Sequence, residues 1–283
     1  MSVKRILIFD SGVGGLSVYE QIVKLNPCIS CHYLFDNAYF PYGELPRTKL
    51  VERLTQLLAD FMSQHPVDLV VIACNSASTV ALEALRLHFS IPIVGVVPAI
   101  KPATRITTNN VIGLLATPAT IERIYTRQLI NEFAAGKTVL RIGSTELVKL
   151  AEDKLIGKPV ALKDFKAVLA PWLSELASDQ KIEGKEQLQP DTLVLGCTHF
   201  PLIKAEIAAC FTRPIKLVDS GEAIALRVKQ LLEVEQHNPS EGVAEIKINQ
   251  AFYTQHFSDQ QHLSALCHSF SDYGFQQVNF CGL

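Results

Sequence analysis

The sequence predicts an α/β protein built on parallel-rich sheets and divided into two similar α/β domains. Three observations carry this reading. Leu69–Ser78 (LVVIACNSAS) and Leu193–Leu202 (LVLGCTHFPL) begin as uninterrupted apolar runs, the pattern of strands buried on both faces of a parallel sheet. Each run ends in a cysteine followed by small or hydroxylated residues that suit a helix start. The order of elements also repeats: a strand with a polar turn, a strand with a cysteine, then one more strand, in each half of the chain.

At 283 residues, 48% hydrophobic and 19% charged, the chain can bury a large core and is long enough for two domains. Its net charge of −2 offers no basic field to attract nucleic acid or an acidic membrane surface. The longest apolar stretches, such as Ile91–Ile100, are too short to span a bilayer and are broken by Pro92 and Pro98. The apolar run after Lys4 and Arg5 is too brief for a signal peptide, so the cytoplasm is the expected location. Seven cysteines are an odd number for a disulfide framework. Cys28-x-x-Cys31 has only His32 close by, so no metal site is expected, and Cys210, Cys267 and Cys281 read as packing or incidental.

Taken in order, Ile6–Phe9 reads as a strand and Asp10–Gly15 (DSGVGG) as the turn into a helix that buries Leu16, Tyr19, Ile22 and Val23. The turn is not a dinucleotide fingerprint, because Ser17 stands where the third glycine belongs, and no phosphate-binding G-x-x-x-x-G-K-[ST] loop occurs in the chain. A strand over His32–Phe35 leads to Asp36-Asn37 and to the turn Phe40–Gly43. Arg47–His65 is an amphipathic helix with Leu50, Leu54, Leu57, Leu58 and Phe61 on one face. The first cysteine stretch follows, with Ser76 and Ser78 as N-cap candidates for a helix over Thr79–His88, and then a strand at Ile91–Val97. Pro98–Thr108 reads as the crossing into the second domain.

That domain opens with a strand at Val111–Ala116, the turn Thr117–Thr120, and a helix expected to bury Ile121, Ile124, Leu129 and Ile130. Leu147–Leu155 is a helix carrying Glu152, and Gln180–Pro190 reads as a loop. Pro201 suits the first turn of a helix running to about Cys210, and a strand ends at Val218-Asp219. Beyond His237, a strand at Lys247–Tyr253 and an amphipathic stretch at His262–Phe270 carry no chemical motif.

Cys74 and Cys197 stand at the carboxyl ends of their strands, the edge where open α/β sheets bind ligands. A following helix N-terminus favours the thiolate, the reactive form. A single cysteine so placed is as readily a small core residue. Two in the same context suggest proton transfer at carbon, since a racemase needs two acid-base groups in opposite protonation states, one for each face of a tetrahedral centre. Two α/β units facing each other would put these thiols on opposite walls of one cleft. Asp10 and His199 are the candidate tuning groups; Asp10 could equally cap a helix, and a lone histidine is often structural.

At these residues the sequence resembles the glutamate racemases of the aspartate/glutamate racemase superfamily. The matching motifs are FDSGVGGL at Phe9–Leu16, Pro41-Tyr42-Gly43, ACNSAS at Ala73–Ser78, VVPA at Val96–Ala99, GCTHFPL at Gly196–Leu202 and VDSG at Val218–Gly221. The resemblance implies two α/β domains with pseudo-twofold symmetry, a first domain of 1–98 plus 211–283 and a second of 99–210, with the active site in the cleft between them. It implies Cys74 and Cys197 as the two bases, supported by Asp10, His199 and Glu152. Substrate contacts are implied from Asp10, Ser11, Tyr42, Gly43, Asn75, Ser76, Thr117, Thr120, Thr198 and His199. Ser76 stands where the family often has threonine, which keeps the hydroxyl. The expected activity is cofactor-independent interconversion of L- and D-glutamate for peptidoglycan synthesis, with glutamate as the small-molecule partner and a homodimer left open. A racemase for another small acid, or a binding protein that closes without chemistry, are the competing readings; the latter has no use for two cysteines at equivalent strand ends.

Overall fold

The computed structural model describes residues 3–173, 189–232 and 247–283. The described chain forms two compact units, Met1–Val97 with Leu155–Gly157 and Ser220–Leu283, and Pro98–Lys154 with Lys158–Asp219. The expected α/β class with parallel sheets holds in each.

The first unit begins β1 (Arg5–Asp10), α1 (Leu16–Leu25), β2 (Ser30–Phe35), α2 (Arg47–Gln64), β3 (Leu69–Ile72), α3 (Asn75–His88) and β4 (Ile93–Gly95). In the second unit the order is α4 (Ile100–Ile106), β5 (Val111–Ala116), α5 (Pro118–Glu122), α6 (Ile124–Phe133), β6 (Thr138–Gly143), α7 (Glu146–Leu155), α8 (Leu162–Leu173), β7 (Thr192–Leu195), α9 (Lys204–Ala209) and β8 (Lys216–Val218). The last residue of α7 already counts with the first unit. The chain then completes the first unit with α10 (Gly221–Leu232), β9 (Gln250–Tyr253), α11 (Gln260–Asp272) and β10 (Gln277–Phe280).

The first sheet has the order β10-β9-β2-β1-β3-β4 and the second β6-β5-β7-β8, with every pairing parallel. Successive side chains of a strand point to opposite faces, so a sheet covered on both sides needs apolar residues at every position. β1 shows this directly: Ile6 and Ile8 join the core that includes α1, α10 and α11, whereas Leu7 and Phe9 join the one that includes α2 and α3. In the second unit Ile112, Leu114, Ala116 and Val194 form one core with α4 and α6. Helix α2 buries the expected stripe Leu50, Leu54, Leu57, Leu58 and Phe61, and its start after Pro46 and end just before Pro66 follow from proline's poor fit inside a helix.

Several expectations need correction. Residues 211–219 stay with the second unit, because β8 is hydrogen-bonded to β7; the return to the first unit falls at Ser220 instead of residue 211. Helix α3 starts at Asn75 with Cys74 as its N-cap, so Ser76 and Ser78 lie inside it. The helix after Thr120 is two pieces, broken at Arg123, whose extended backbone turns Ile124 outward to 73% exposure. Beyond Cys197 a 3-10 turn at Phe200–Ile203 precedes the short α9, in place of one continuous helix. The expected loop at Gln180–Pro190 lies outside the described residues except for Gln189 and Pro190.

The end of β6 packs against the start of α5 without room for a side chain. A Cβ on Gly143 would stand 2.9 Å from Pro118 Cα and 3.2 Å from Pro118 N, both main-chain atoms. Gly143→Ala gains about 0.4–1 kcal/mol from a stiffer unfolded chain, but displacing a packed backbone costs about 1–3 kcal/mol. Urea denaturation is expected to show a net loss of stability for this variant; an unchanged or higher midpoint would mean that the contact yields freely.

Candidate active site

In a parallel α/β sheet, a crevice opens beyond the carboxyl ends of two neighbouring strands whose connections leave to opposite sides. The first sheet has such a point between β1 and β3, since the chain goes from β1 to β2 on one flank and returns to β3 on the other. Asp10 ends β1, and Cys74 follows β3 by two residues. The second sheet repeats the arrangement between β5 and β7, which lead to Thr117 and to Gly196-Cys197-Thr198-His199.

At the first point, Asp10 is buried and its Oδ1 accepts from Ser11 N at 2.6 Å and Gly12 N at 3.4 Å, closing the turn before α1. The turn can lie this close because Gly15 has no side chain: a Cβ there would meet Tyr33 Oη at 2.8 Å and the Cβ atoms of Ala73 and Asp10 at 3.1 Å. Ser11 Oγ stands 3.3 Å from Asp10 Oδ1 and 3.6 Å from Cys74 Sγ. A hydroxyl carries one proton, so Ser11 either donates to Asp10 and accepts from the Cys74 thiol, or turns its proton to the Cys74 thiolate. Cys74 is 6% exposed and Asn75 and Ser76 beside it are buried. Asn75 Oδ1 has no hydrogen-bond partner among the described residues, a costly state for a buried carbonyl and one that a bound donor relieves. Ser78 fixes the local geometry, donating to Ile72 O at 2.9 Å and accepting from Val96 N at 3.0 Å, which ties α3 to both β3 and β4.

At the second point, Cys197 is 7% exposed and its Sγ lies 3.7 Å from His199 Nδ1. His199 Nε2 lies 2.7 Å from Glu152 Oε1, on α7. Burial opposes a charge on His199, but the hydrogen bonds and negative charges of Cys197 and Glu152 outweigh it and hold its pKa well above 6.5. The site therefore favours the imidazolium, which puts a positive charge beside the sulfur. Lys154, two residues along α7, donates to Leu202 O at 3.0 Å and pairs with Glu206 at 2.7 Å, fixing the 3-10 turn that follows His199. Thr117 caps α5, accepting from Thr120 N at 3.3 Å, and donates to Thr120 Oγ1 at 3.0 Å.

The structure thus brings Asp10, Ser11, Cys74, Asn75 and Ser76 to one strand edge and Glu152, Cys197, Thr198 and His199 to another. Thr117 and Thr120 stand at the neighbouring strand end of the second unit. Tyr42 and Gly43 lie in a short 3-10 turn, Tyr42–Glu44, with Tyr42 buried. Its hydroxyl is engaged by Asp36, a residue that the sequence reading leaves without a role. Arg53, which also binds Asp36, could have been noticed as a charge three residues after Leu50, on the edge of the apolar stripe of α2. Elsewhere, burial pushes the Cys31 thiol up to about 12 and raises those of Cys210, Cys267 and Cys281, while Cys28 is exposed. Among the described residues no group of three or more His, Cys, Asp or Glu side chains is placed to hold a metal ion. No helix among them is long and apolar enough to cross a membrane.

The sequence places this pair of parallel sheets in a known enzyme family: the chain belongs to the Asp/Glu/Hydantoin racemases, with residues 6–228 matched. It is an isomerase of the racemase class. Within that family its similarity is to glutamate racemases. That of Aliivibrio fischeri is 49% identical over 91% of this chain and 97% of the relative, and that of Vibrio cholerae is 50% identical over 83% of each. The crystal structure of Escherichia coli glutamate racemase in complex with L-glutamate and activator UDP-MurNAc-ala superposes with a TM-score of 0.86 at 44% identity, covering 99% of this chain and 98% of that one.

The pairing of His199 with Glu152 sets a pH dependence. Because folding raises the histidine's pKa, its contribution to stability is complete below about pH 6.5 and is lost as pH rises through the higher folded value. Glu152→Gln removes one of the two charges that hold the proton, so the His199 titration followed by NMR is expected to move down toward the ordinary histidine range. A midpoint unchanged in the variant would show that Glu152 does not support the imidazolium.

Proposed function

We propose that this enzyme interconverts L- and D-glutamate by a two-base proton transfer at Cα, with Cys74 and Cys197 as the two bases and no cofactor. The observation that carries this reading is the equivalence of the two thiols: each follows a central strand at a switch point, each has a carboxylate in its hydrogen-bonded chain, and each is almost wholly buried. The identity of about half of all residues to proteins named glutamate racemase supports glutamate as the substrate.

In each direction one cysteine, as thiolate, takes the Cα proton, leaving a planar carbanion stabilised by delocalisation into the α-carboxylate. The other cysteine, as thiol, protonates the opposite face. Every turnover exchanges the protonation states of the two thiols. Resemblance assigns Cys74 to D-glutamate and Cys197 to L-glutamate. His199, as imidazolium, balances the charge on Cys197 while it is thiolate, with Glu152 holding the ring; Ser11 redirects its proton between Asp10 and Cys74. The N-terminus of α3, the unpaired Asn75 Oδ1 and the hydroxyls of Ser11, Ser76, Thr117, Thr120 and Thr198 supply donors and acceptors of the kind an amino acid's carboxylates and ammonium require. Seven unpaired cysteines suit a reducing compartment, and we infer that the enzyme works in the cytoplasm and supplies D-glutamate for peptidoglycan synthesis.

Enantiomers have equal free energies, so kcat/KM is equal in the two directions for wild type and for every variant. Loss of either base therefore lowers both: Cys74→Ser and Cys197→Ser are each expected to reduce racemisation on the order of 10²- to 10⁴-fold or more, measured by polarimetry. The number of bases is read with wild type in deuterium oxide, where product is expected to carry solvent deuterium at Cα from the first turnovers while unconverted substrate gains it more slowly. Early product that retains the substrate's own hydrogen, or near-normal racemisation by either serine variant, would sink the two-cysteine mechanism.

A further inference from the structure

Tyr42 carries its hydroxyl into the first unit's interior, where it donates to Asp36 Oδ2 at 2.6 Å. Asp36 follows β2 and is fully buried, a position where a carboxylate is tolerated only if its oxygens are paired. Arg53 of α2 supplies the countercharge in a fork, Nε to Oδ2 and Nη2 to Oδ1, both at 2.9 Å, which fixes the plane of the carboxylate. Thr254, directly after β9, donates its hydroxyl to Oδ1 at 2.6 Å. Each oxygen thus accepts two donors, drawn from α2, the Tyr42–Glu44 turn and the end of β9.

The cluster is joined to the reaction site by main chain and by packing. Asp36 N donates to Asp10 O at 3.1 Å. The Tyr42 ring packs against Phe9 with centroids 5.8 Å apart and shares an apolar cluster with Cys74. Asn37 holds the flank, its Oδ1 accepting from Thr254 N at 3.0 Å and Gln255 N at 2.9 Å. Burial and the adjacent Asp36 charge push the Tyr42 pKa far above its ordinary value, so the phenol stays a donor.

We propose that Asp36, Arg53 and Thr254 are positioning residues for the racemase reaction: they hold Tyr42 by its hydroxyl and so fix the Tyr42–Gly43 main chain beside Cys74 for contact with the substrate. In this assignment Tyr42 offers glutamate its main chain and the wall of its ring, and its hydroxyl serves the clamp. The proposal rests on the glutamate reading given above. A displaced binding turn weakens ground state and transition state alike, so the effect of loosening the clamp falls on KM more than on kcat.

Polarimetric kinetics from both enantiomers, with a thermal melt of each protein, test this on wild type, Thr254→Val, Thr254→Ser and Arg53→Lys. Thr254→Val removes one donor with little change in shape, and Arg53→Lys keeps the charge but loses the fork. Both are expected to raise KM on the order of ten-fold while kcat falls by less than about three-fold. Thr254→Ser keeps the hydroxyl and is expected to return KM to near the wild-type value. A lowered melting temperature with unchanged KM in Thr254→Val overturns the proposal and leaves the cluster purely structural. Should Arg53→Lys fail to fold, the two Thr254 variants decide alone. A wild type that does not racemise glutamate removes the underlying reading and the proposal with it, a result distinct from a racemising wild type whose KM the variants leave unmoved.

Discussion

Parallel pairing is the constraint from which the site follows. Adjacent parallel strands cannot be joined by a tight turn, so each connection crosses a face of the sheet, in most cases with a helix, and every strand of a sheet ends at the same edge. Reversal of strand order beside β1, and again beside β5, then splits two connections to opposite sides and leaves an opening between them. Any polar residue placed at or just after the end of β1 or β3, or of β5 or β7, is delivered to the opening of its own sheet with its main chain held by that sheet. Asp10, Cys74, Thr117 and Cys197 are those residues. The apolar strands that precede them are thus both the core of the fold and the mount of the candidate site, which is why strand and candidate residue are contiguous in the sequence.

The same scaffold equips the two thiols differently. Cys74 meets a hydroxyl that can turn its proton one way or the other, a neutral partner backed by a carboxylate. Cys197 meets a ring whose pKa folding raises, again backed by a carboxylate. The first arrangement offers the sulfur a dipole that can reorient; the second offers it a ring that favours a positive charge. Lone histidines are frequently structural, and here the distinction comes from geometry: the ring bridges sulfur and carboxylate with one nitrogen for each.

Much of this was legible from residues. Uninterrupted apolar runs announce strands covered on both faces, and β3, β5 and β7 lie where those runs lie. What stayed hidden depends on partners distant in sequence or on weak patterns. Strand β6 is an edge strand with half-exposed positions, and its apolar period is faint. Helices α8 and α10 carry apolar stripes without a chemical motif to draw attention to them. Strand β8 is three residues long, and only its bonds to β7 show that the second unit extends to Asp219. Ile124 has the spacing of a core residue, but the break at Arg123 rotates it outward. The Asp36 cluster joins residues 36, 53 and 254, and no local pattern links positions so far apart. Ser78 has the chemistry of a helix cap, yet its hydroxyl serves β3 and β4 from inside α3.

The remaining cysteines give the fold a chemical property beyond its reaction. Four of the seven, Cys31, Cys210, Cys267 and Cys281, are kept protonated by burial, and the protonated thiol is a poor nucleophile. Electrophiles and oxidants that act through thiolate are thereby turned away from these four, whereas Cys28 lies exposed at the surface. Covalent labelling of this protein by a reagent that needs a thiolate is therefore expected to begin at the surface, at Cys28.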